Sequence, residues 1–247
     1  MGGSERDMKR IVIVGASSGM GFEVAKLLLA EGYTLGVAAR REDRLLALKQ
    51  EAPDRVEVAT IDVTAVDAGA RLRQLIDCLG GMDLYFHVSG IGKQNRDLIE
   101  DIELNTVNTN GMGFTRMIGE AYRYFAERGE GHIVAITSIA GTKGLGPAPS
   151  YSATKAFQNN YLQALEQQAN ARNLKIRFTD IRPGFVDTDL LKGDFHYPMM
   201  LKPQSVARDI VKAIHGKRHV KVIDWKYAIL TALWRSIPRP LWRHLKL

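Results

Sequence analysis

The chain has 247 residues, 45% hydrophobic and 25% charged, enough to enclose a substantial core and near the upper end for one domain. With 23 Gly, 8 Pro and no low-complexity tract, it is not collagen-like, mucin-like or disordered. The formal charge of +7 lies wholly in the tail, where Lys217, Arg218, Lys221, Lys226, Arg235, Arg239, Arg243 and Lys246 stand against Asp224 alone; the neutral remainder argues against a nucleic-acid-binding protein.

Residues 1–8 are small and polar and read as a disordered leader, with Met8 an alternative start. Short β-branched runs then alternate with amphipathic stretches. In chain order the spacing predicts strand Ile11–Val14, helix Gly21–Ala30, strand Thr34–Ala39, helix Arg44–Glu51, strand Val56–Ile61, helix Ala68–Leu79 and strand Leu84–Val88. It continues with helix Met112–Arg128, strand His132–Thr137, helix Tyr151–Arg172, strand Ile176–Ile181, helix Ser205–His215 and strand Val220–Ile223. Helix-length connections between continuously apolar strands imply right-handed crossovers and a parallel sheet covered on both faces. The predicted fold is α/β: one Rossmann-like doubly wound domain over residues 9–224, with a seven-stranded parallel sheet, followed by a basic amphipathic extension over 225–247. The lone Cys78 and the lack of a signal-peptide pattern imply a reducing, cytoplasmic setting.

In such sheets ligands bind beyond the carboxyl ends of the strands. After the first strand comes Gly15, Ala16, Ser17, Ser18, Gly19, Met20, Gly21, leading into a helix. Glycines permit close backbone approach, and a helix N-terminus offers free N–H groups, so this turn suits a dinucleotide pyrophosphate; a glycine-rich turn without ligand is the competing reading. The second strand ends in Ala39, Arg40, Arg41 with no acid to bind a ribose 2′-hydroxyl, which favours NADP(H) with Arg40 on the 2′-phosphate; the competing reading, open above all for Arg41, is a solvated helix start. Asp62, after the third strand, either bonds the adenine amine or caps the next turn.

Ser138 follows the fifth strand, and Tyr151 and Lys155 stand four apart at the start of a long helix. That spacing brings an ammonium near a phenol and stabilises phenolate. Reduction of a carbonyl needs such an acid, and a donor like Ser138 to polarise the carbonyl. No His or Cys cluster suggests a metal.

The motifs Gly15–Gly21, Asp62–Val63, Asn108–Gly111, Thr137–Gly141, Tyr151–Lys155 and Arg182–Thr188 together resemble the short-chain dehydrogenases/reductases of compact type, over about Lys9 to Ile223. The resemblance implies Tyr151 as acid and base, Lys155 on the nicotinamide ribose, Ser138 orienting substrate and Asn108 in a water-mediated proton relay. It further implies Val63 and Gly90 along the cofactor, and Pro183, Gly184, Val186 and Thr188 beside the nicotinamide. One element departs from the family pattern: Asn-Asn-Ala-Gly is replaced by His87, Val88, Ser89, Gly90. A His ending a buried strand reads more readily as structural than as catalytic.

Between Thr188 and Pro203 the side chains Leu190, Leu191, Phe195, Tyr197, Met199, Met200 and Leu201 either close over an apolar substrate or pack on a helix. The extension carries all three tryptophans among arginines and is broken by Pro238 and Pro240, so it is too short to span a bilayer. It reads as a peripheral membrane segment, or as packing on the cleft or an oligomer interface. The expected activity is NADP(H)-dependent reduction of the ketone of a hydrophobic molecule, or the reverse oxidation, with long-chain 3-keto lipids foremost. The expected protein is a homo-oligomer, dimer or tetramer, built on the helices over Met112–Arg128 and Tyr151–Arg172. The alternative is a nucleotide-binding regulator or scaffold without turnover, which would have no need of Ser138, Tyr151 and Lys155 together.

Overall fold

The computed structural model describes residues 9–188 and 199–245. Seven parallel strands form one sheet in the order β3-β2-β1-β4-β5-β6-β7. They are β1 Arg10–Val14, β2 Thr34–Ala39, β3 Val56–Thr60, β4 Leu84–His87, β5 Glu130–Ile136, β6 Lys175–Arg182 and β7 Val220–Val222. The helices are α1 Gly19–Ala30, α2 Glu42–Glu51, α3 Ala68–Cys78, α4 Glu100–Val107, α5 Phe114–Arg128, α6 Pro149–Ala171, α7 Pro203–His215, α8 Trp225–Ser236 and α9 Arg239–Trp242. The leader and the apolar residues Leu190, Leu191, Phe195 and Tyr197 expected near the substrate lie outside the described residues.

The period-2 geometry of a strand sends alternate side chains to opposite faces. Ile11 and Ile13 join a core with Val24 and Leu28 of α1, Leu45 of α2 and Ile210 of α7. Val12 and Val14 join the opposite core, with Leu72 of α3, Met117 and Phe125 of α5 and Leu162 of α6. Both faces are therefore dry, which is why the strands read as unbroken apolar runs. The chain winds outward in both directions from β1 and β4, so the reversal of strand order falls between them and opens a crevice above their carboxyl ends.

Two departures from the predicted elements bear on function. Helix α4 was not predicted, and it runs through a π-helical segment, Asn108–Gly113, directly into α5. Asn, Thr and Gly are poor helix formers, and Leu104 and Val107 point outward, so the segment shows no apolar stripe toward the core. The residues after β7 also form helix α8 and the short α9. No helix among the described residues is long and apolar enough to cross a membrane.

Candidate active site

A cavity of about 500 Å³ lies above the carboxyl ends of β1, β2, β3 and β4. Gly15, Ser17, Ser18, Gly19, Met20, Arg40, Asp62, Val63, Gly90 and Thr188 all line it, from five segments of the chain. Gly15 has φ +100°, and a Cβ there would stand 2.6 Å from the Ser89 amide nitrogen. Only glycine lets this turn pass so close to the β4 loop. Gly21 lies within the first turn of α1, whose amides point into the space the turn encloses. Those donors, the positive helix end and two guanidinium groups at the rim match the chemistry of a dinucleotide diphosphate with its flanking riboses.

At the rim, Arg41, for which the sequence left a solvated position open, donates to Ser18 Oγ at 2.7 Å and Ser17 Oγ at 3.3 Å. Arg40 is exposed beside it and helps hold the Asp62 carboxyl below the usual carboxylate range. The larger cause of that lowering is Thr64, whose backbone N–H and hydroxyl both donate to Asp62 Oδ1 at 2.9 and 2.7 Å. Asp62 therefore caps its turn, one of its two expected roles, while still facing the cavity.

Ser138 lies two residues past the end of β5, is 6% exposed, and accepts a hydrogen bond from the Ala140 amide, capping a 3-10 turn over Ile139–Thr142. Gly141 of that turn presses on α6, where a Cβ would meet the Lys155 backbone at 2.7 Å. The same turn thus fixes Ser138 relative to Tyr151 and Lys155. Tyr151 lies in the first turn of α6, behind Pro149, and its ring stands against the Gly92 backbone. Lys155 Nζ is 5.7 Å from the centre of that ring. The Lys155 ammonium is buried and donates to the Ile136 carbonyl at 3.2 Å and to Gln158 Oε1 at 2.9 Å. Burial lowers its pKa to about 8, against an opposing pull from Asp180.

The structure does not bring Asn108 into this arrangement. Asn108 is half-buried on the π-helical segment, and its side chain makes no hydrogen bond among the described residues. Asn110 occupies the place instead. It is fully buried, its Oδ1 accepts from the Ile91 amide at 2.9 Å, and its Nδ2 donates to the Ile91 carbonyl at 2.7 Å. Its own carbonyl accepts from Gln158 Nε2 at 2.9 Å. Gln158 therefore bridges Lys155 and Asn110 through the two ends of one amide. The sequence held the clue in its spacing, since Gln158 follows Lys155 by one helical turn, but a glutamine there carries no signature of its own.

His87 is fully buried, shares a 2.9 Å hydrogen bond with the Tyr85 hydroxyl through Nδ1, and packs edge-on against Phe114. Burial, with the Lys155 charge adding to it, depresses its pKa to about 3, so the imidazole is neutral near pH 7. Pro183 accepts the Ile139 amide at 3.1 Å, tying the loop after β6 to the turn of Ser138. Gly184 is required by α8: a Cβ there would lie 2.2 Å from the Tyr227 ring. Val186 is buried and bridges to Leu201, and the Thr188 methyl sits over Gly19. The extension closes the arrangement from the far side. Lys143 Nζ donates to the Ile237 carbonyl and Trp242 Nε1 to the Gly144 carbonyl, at 2.9 and 2.8 Å.

This geometry has known parallels. Residues 9–197 match the family model described as short chain dehydrogenase. An uncharacterized oxidoreductase of Myxococcus xanthus is 31% identical over 246 residues, covering 96% of each chain. Among solved structures, an alcohol dehydrogenase from Thermococcus sibiricus complexed with 5-hydroxy-NADP superposes with a TM-score of 0.77 at 24% identity, covering 88% of this chain and 96% of that one. A 3-ketoacyl-(acyl-carrier-protein) reductase from Brucella melitensis complexed with NADH does so with a TM-score of 0.78 at 22% identity, covering 93% and 98%. With its doubly wound sheet, its glycine turn and Lys155 set against the Tyr151 ring, the chain belongs to the short-chain dehydrogenase family of oxidoreductases.

Proposed function

We propose that the protein is an NADP(H)-dependent reductase of a hydrophobic ketone, of the long-chain keto-lipid class, working equally through the reverse oxidation of the secondary alcohol. The observation that carries the reading is the Lys155 ammonium, buried beneath the Tyr151 ring and held there by Ile136 and Gln158. A charge is costly to bury, and here it lies against a phenol whose ring packs on the Gly92 backbone, two residues from Gly90 of the cavity lining.

The nicotinamide supplies or accepts hydride when bound. The rest falls to the chain's own groups. Ser138 Oγ donates to the substrate oxygen and polarises the carbonyl. The Tyr151 hydroxyl delivers its proton to that oxygen as negative charge develops there. Lys155 stabilises the phenolate left behind and bonds the nicotinamide ribose. Asn110, not Asn108, supports the back of the site and joins the proton path through its carbonyl.

Arg40 and Arg41, with Ser17 and Ser18, support recognition of a 2′-phosphate, because the Arg41 guanidinium meets the two hydroxyls and Arg40 stands exposed beside it, where an NAD-specific site would offer a carboxylate. The apolar substrate class draws support from the aromatic extension bonded to Lys143 and Gly144 beside Ser138. Exposed Leu104, Val107, Met112 and Phe157 on and beside α4 and α6 support a homo-oligomer built there.

Titration with NADPH and NADH, followed by NADPH oxidation with long-chain 2-ketones and 3-oxoacyl esters, tests the reading. NADPH binds more tightly, and Tyr151→Phe lowers turnover about 10²–10⁴-fold with NADPH affinity kept. Turnover that persists in Tyr151→Phe overturns the mechanism. Tight NADPH binding with no turnover of any carbonyl tried, matched by Tyr151→Phe, favours the regulator.

A further inference from the structure

The inward face of α8 is used by the fold. Tyr227 and Thr231 are buried, and the Tyr227 hydroxyl donates to the Met199 carbonyl. The outward face is apolar and uncovered, with Trp225 67%, Ile229 53% and Leu233 59% exposed. These residues are four apart, and at 3.6 residues per turn they make a stripe, with Ala228 and Ala232 completing its width. Lys226 and Arg235 fall on the two flanks of that stripe. Leu241 and Leu245 extend the apolar surface past α8, 63% and 48% exposed, with Arg239 and Arg243 exposed among them. A 5.7 Å ring contact between Trp234 and Trp242 holds this second piece to α8.

Among the described residues no acid pairs with Lys226, Arg235, Arg239 or Arg243, although residues 1–216 are neutral overall. The ordinary arrangement in water, charges outward and apolar groups inward, is here replaced by an outward apolar face rimmed with cations that no acid among the described residues pairs. Self-association through this face would bring the like-charged rims of two copies together, which costs energy. An anionic lipid surface meets both demands at once. Apolar side chains enter the headgroup boundary, and each cation near the surface contributes about 1 kcal/mol.

We propose that the outward face of α8 and α9, centred on Trp225, Ile229 and Leu233 and flanked by Lys226 and Arg235, docks the protein on an anionic membrane surface. Because α9 and Ile237 are bonded to Gly144 and Lys143, docking sets the substrate side of the molecule against lipid. The proposal stands on this surface alone and is independent of which carbonyl is reduced.

The full chain is floated with vesicles of phosphatidylcholine alone and of phosphatidylcholine with roughly one third phosphatidylglycerol, while tryptophan emission is recorded. All three tryptophans lie in the extension, so the emission reports on this surface. The protein travels with the anionic vesicles, its emission shifts to the blue, and about 0.5 M salt weakens the binding. Ile229→Gln/Leu233→Gln and Lys226→Glu/Arg235→Glu each lower vesicle affinity at least about tenfold, with circular dichroism and NADPH affinity unchanged. These positions are exposed, so folding is preserved. The proposal is overturned if the native chain ignores both vesicle types, or if it binds and both variants bind equally well. It is also overturned if lipid-free sedimentation shows the apolar variant losing a subunit contact while the native chain never binds vesicles, which assigns the face to a second copy.

Discussion

Lys155 carries conflicting demands that make its titration informative. Its ammonium is out of water, which favours the neutral amine, yet two carbonyl-type acceptors hold the charged form, one of them Gln158 Oε1. With a pKa of about 8 instead of 10.5, it begins to lose its proton just above neutrality. The affinity for NADPH therefore falls as pH rises through about 8, and Lys155→Met loses both affinity and that pH dependence. Gln158→Leu removes an acceptor for the ammonium, so it lowers the Lys155 pKa further and moves the fall toward neutrality by about one unit. Gln158→Glu restores an acceptor and moves it back upward. Fluorescence titration of NADPH between pH 6 and 9.5 (about the usable window for these groups) checks all three variants, and an unmoved midpoint in Gln158→Leu refutes the coupling.

Stability gives the same residue a second, opposite signature. The Lys155 pKa is depressed on folding, so the folded state suffers wherever both states are charged, below about 8. That cost disappears between about 8 and 10.5 as the native amine and then the unfolded one deprotonate. Lys155→Met is consequently more stable than the native chain at neutral pH, by on the order of 3 kcal/mol before its two lost hydrogen bonds are subtracted, and the gap narrows toward pH 10 (near the ordinary lysine value). Urea unfolding at the two pH values measures it.

At the scale of elements, α8 is the piece whose role was least visible beforehand. Its Tyr227 ring is fully buried and lies where any Cβ on residue 184 would stand, so the helix clamps the loop that follows β6. Tyr227→Ala leaves a cavity and costs about 3–5 kcal/mol, whereas Tyr227→Phe keeps the ring and loses the hydroxyl's bonds to Met199 and the Phe185 backbone, about 1–2 kcal/mol. Denaturant unfolding of the two variants separates ring from hydroxyl. The charge and aromatic content of the extension were plain in the sequence, but no local pattern could say that Tyr227 pairs with Gly184 or Trp242 with Gly144, since both contacts join distant segments. The glycine turn was legible because positive φ and close approach are demands only glycine meets at Gly15. The inward-facing asparagine was not, because Asn108 and Asn110 sit two apart, and a π-helical segment changes the phase that decides which one is buried. The path of Arg41 was not legible for a related reason: the sequence places two arginines at one strand end, but the reach of one side chain to Ser17 and Ser18 is a property of the folded rim.

For the molecule as a whole, the sheet was readable because its physics is repetitive. Each central strand is buried on both faces, the alternation of Ile11, Val12, Ile13 and Val14 between two cores recurs along the sheet, and helix-length connections leave only right-handed crossovers. That same double burial gives the protein an acid sensitivity that no surface charge could. His87 on β4 and His132 on β5 both lie inside the sheet layers, and desolvation depresses them to about 3 and about 4. Both values are below the unfolded value of about 6.5. As pH falls through 6.5 (again the ordinary imidazole value), the unfolded chain takes up two protons that the native chain refuses. Stability is complete above that pH and declines on acidification by roughly 2.7 kcal/mol per pH unit until native His132 and then native His87 titrate. Calorimetry near pH 5 (about midway in this window) in buffers of different ionisation enthalpy should record an uptake on unfolding about one proton larger in the native chain than in His87→Asn. A native chain whose uptake equals that of His87→Asn would mean that His87 is already protonated when folded. The depressed imidazole beneath Lys155 would then be ruled out.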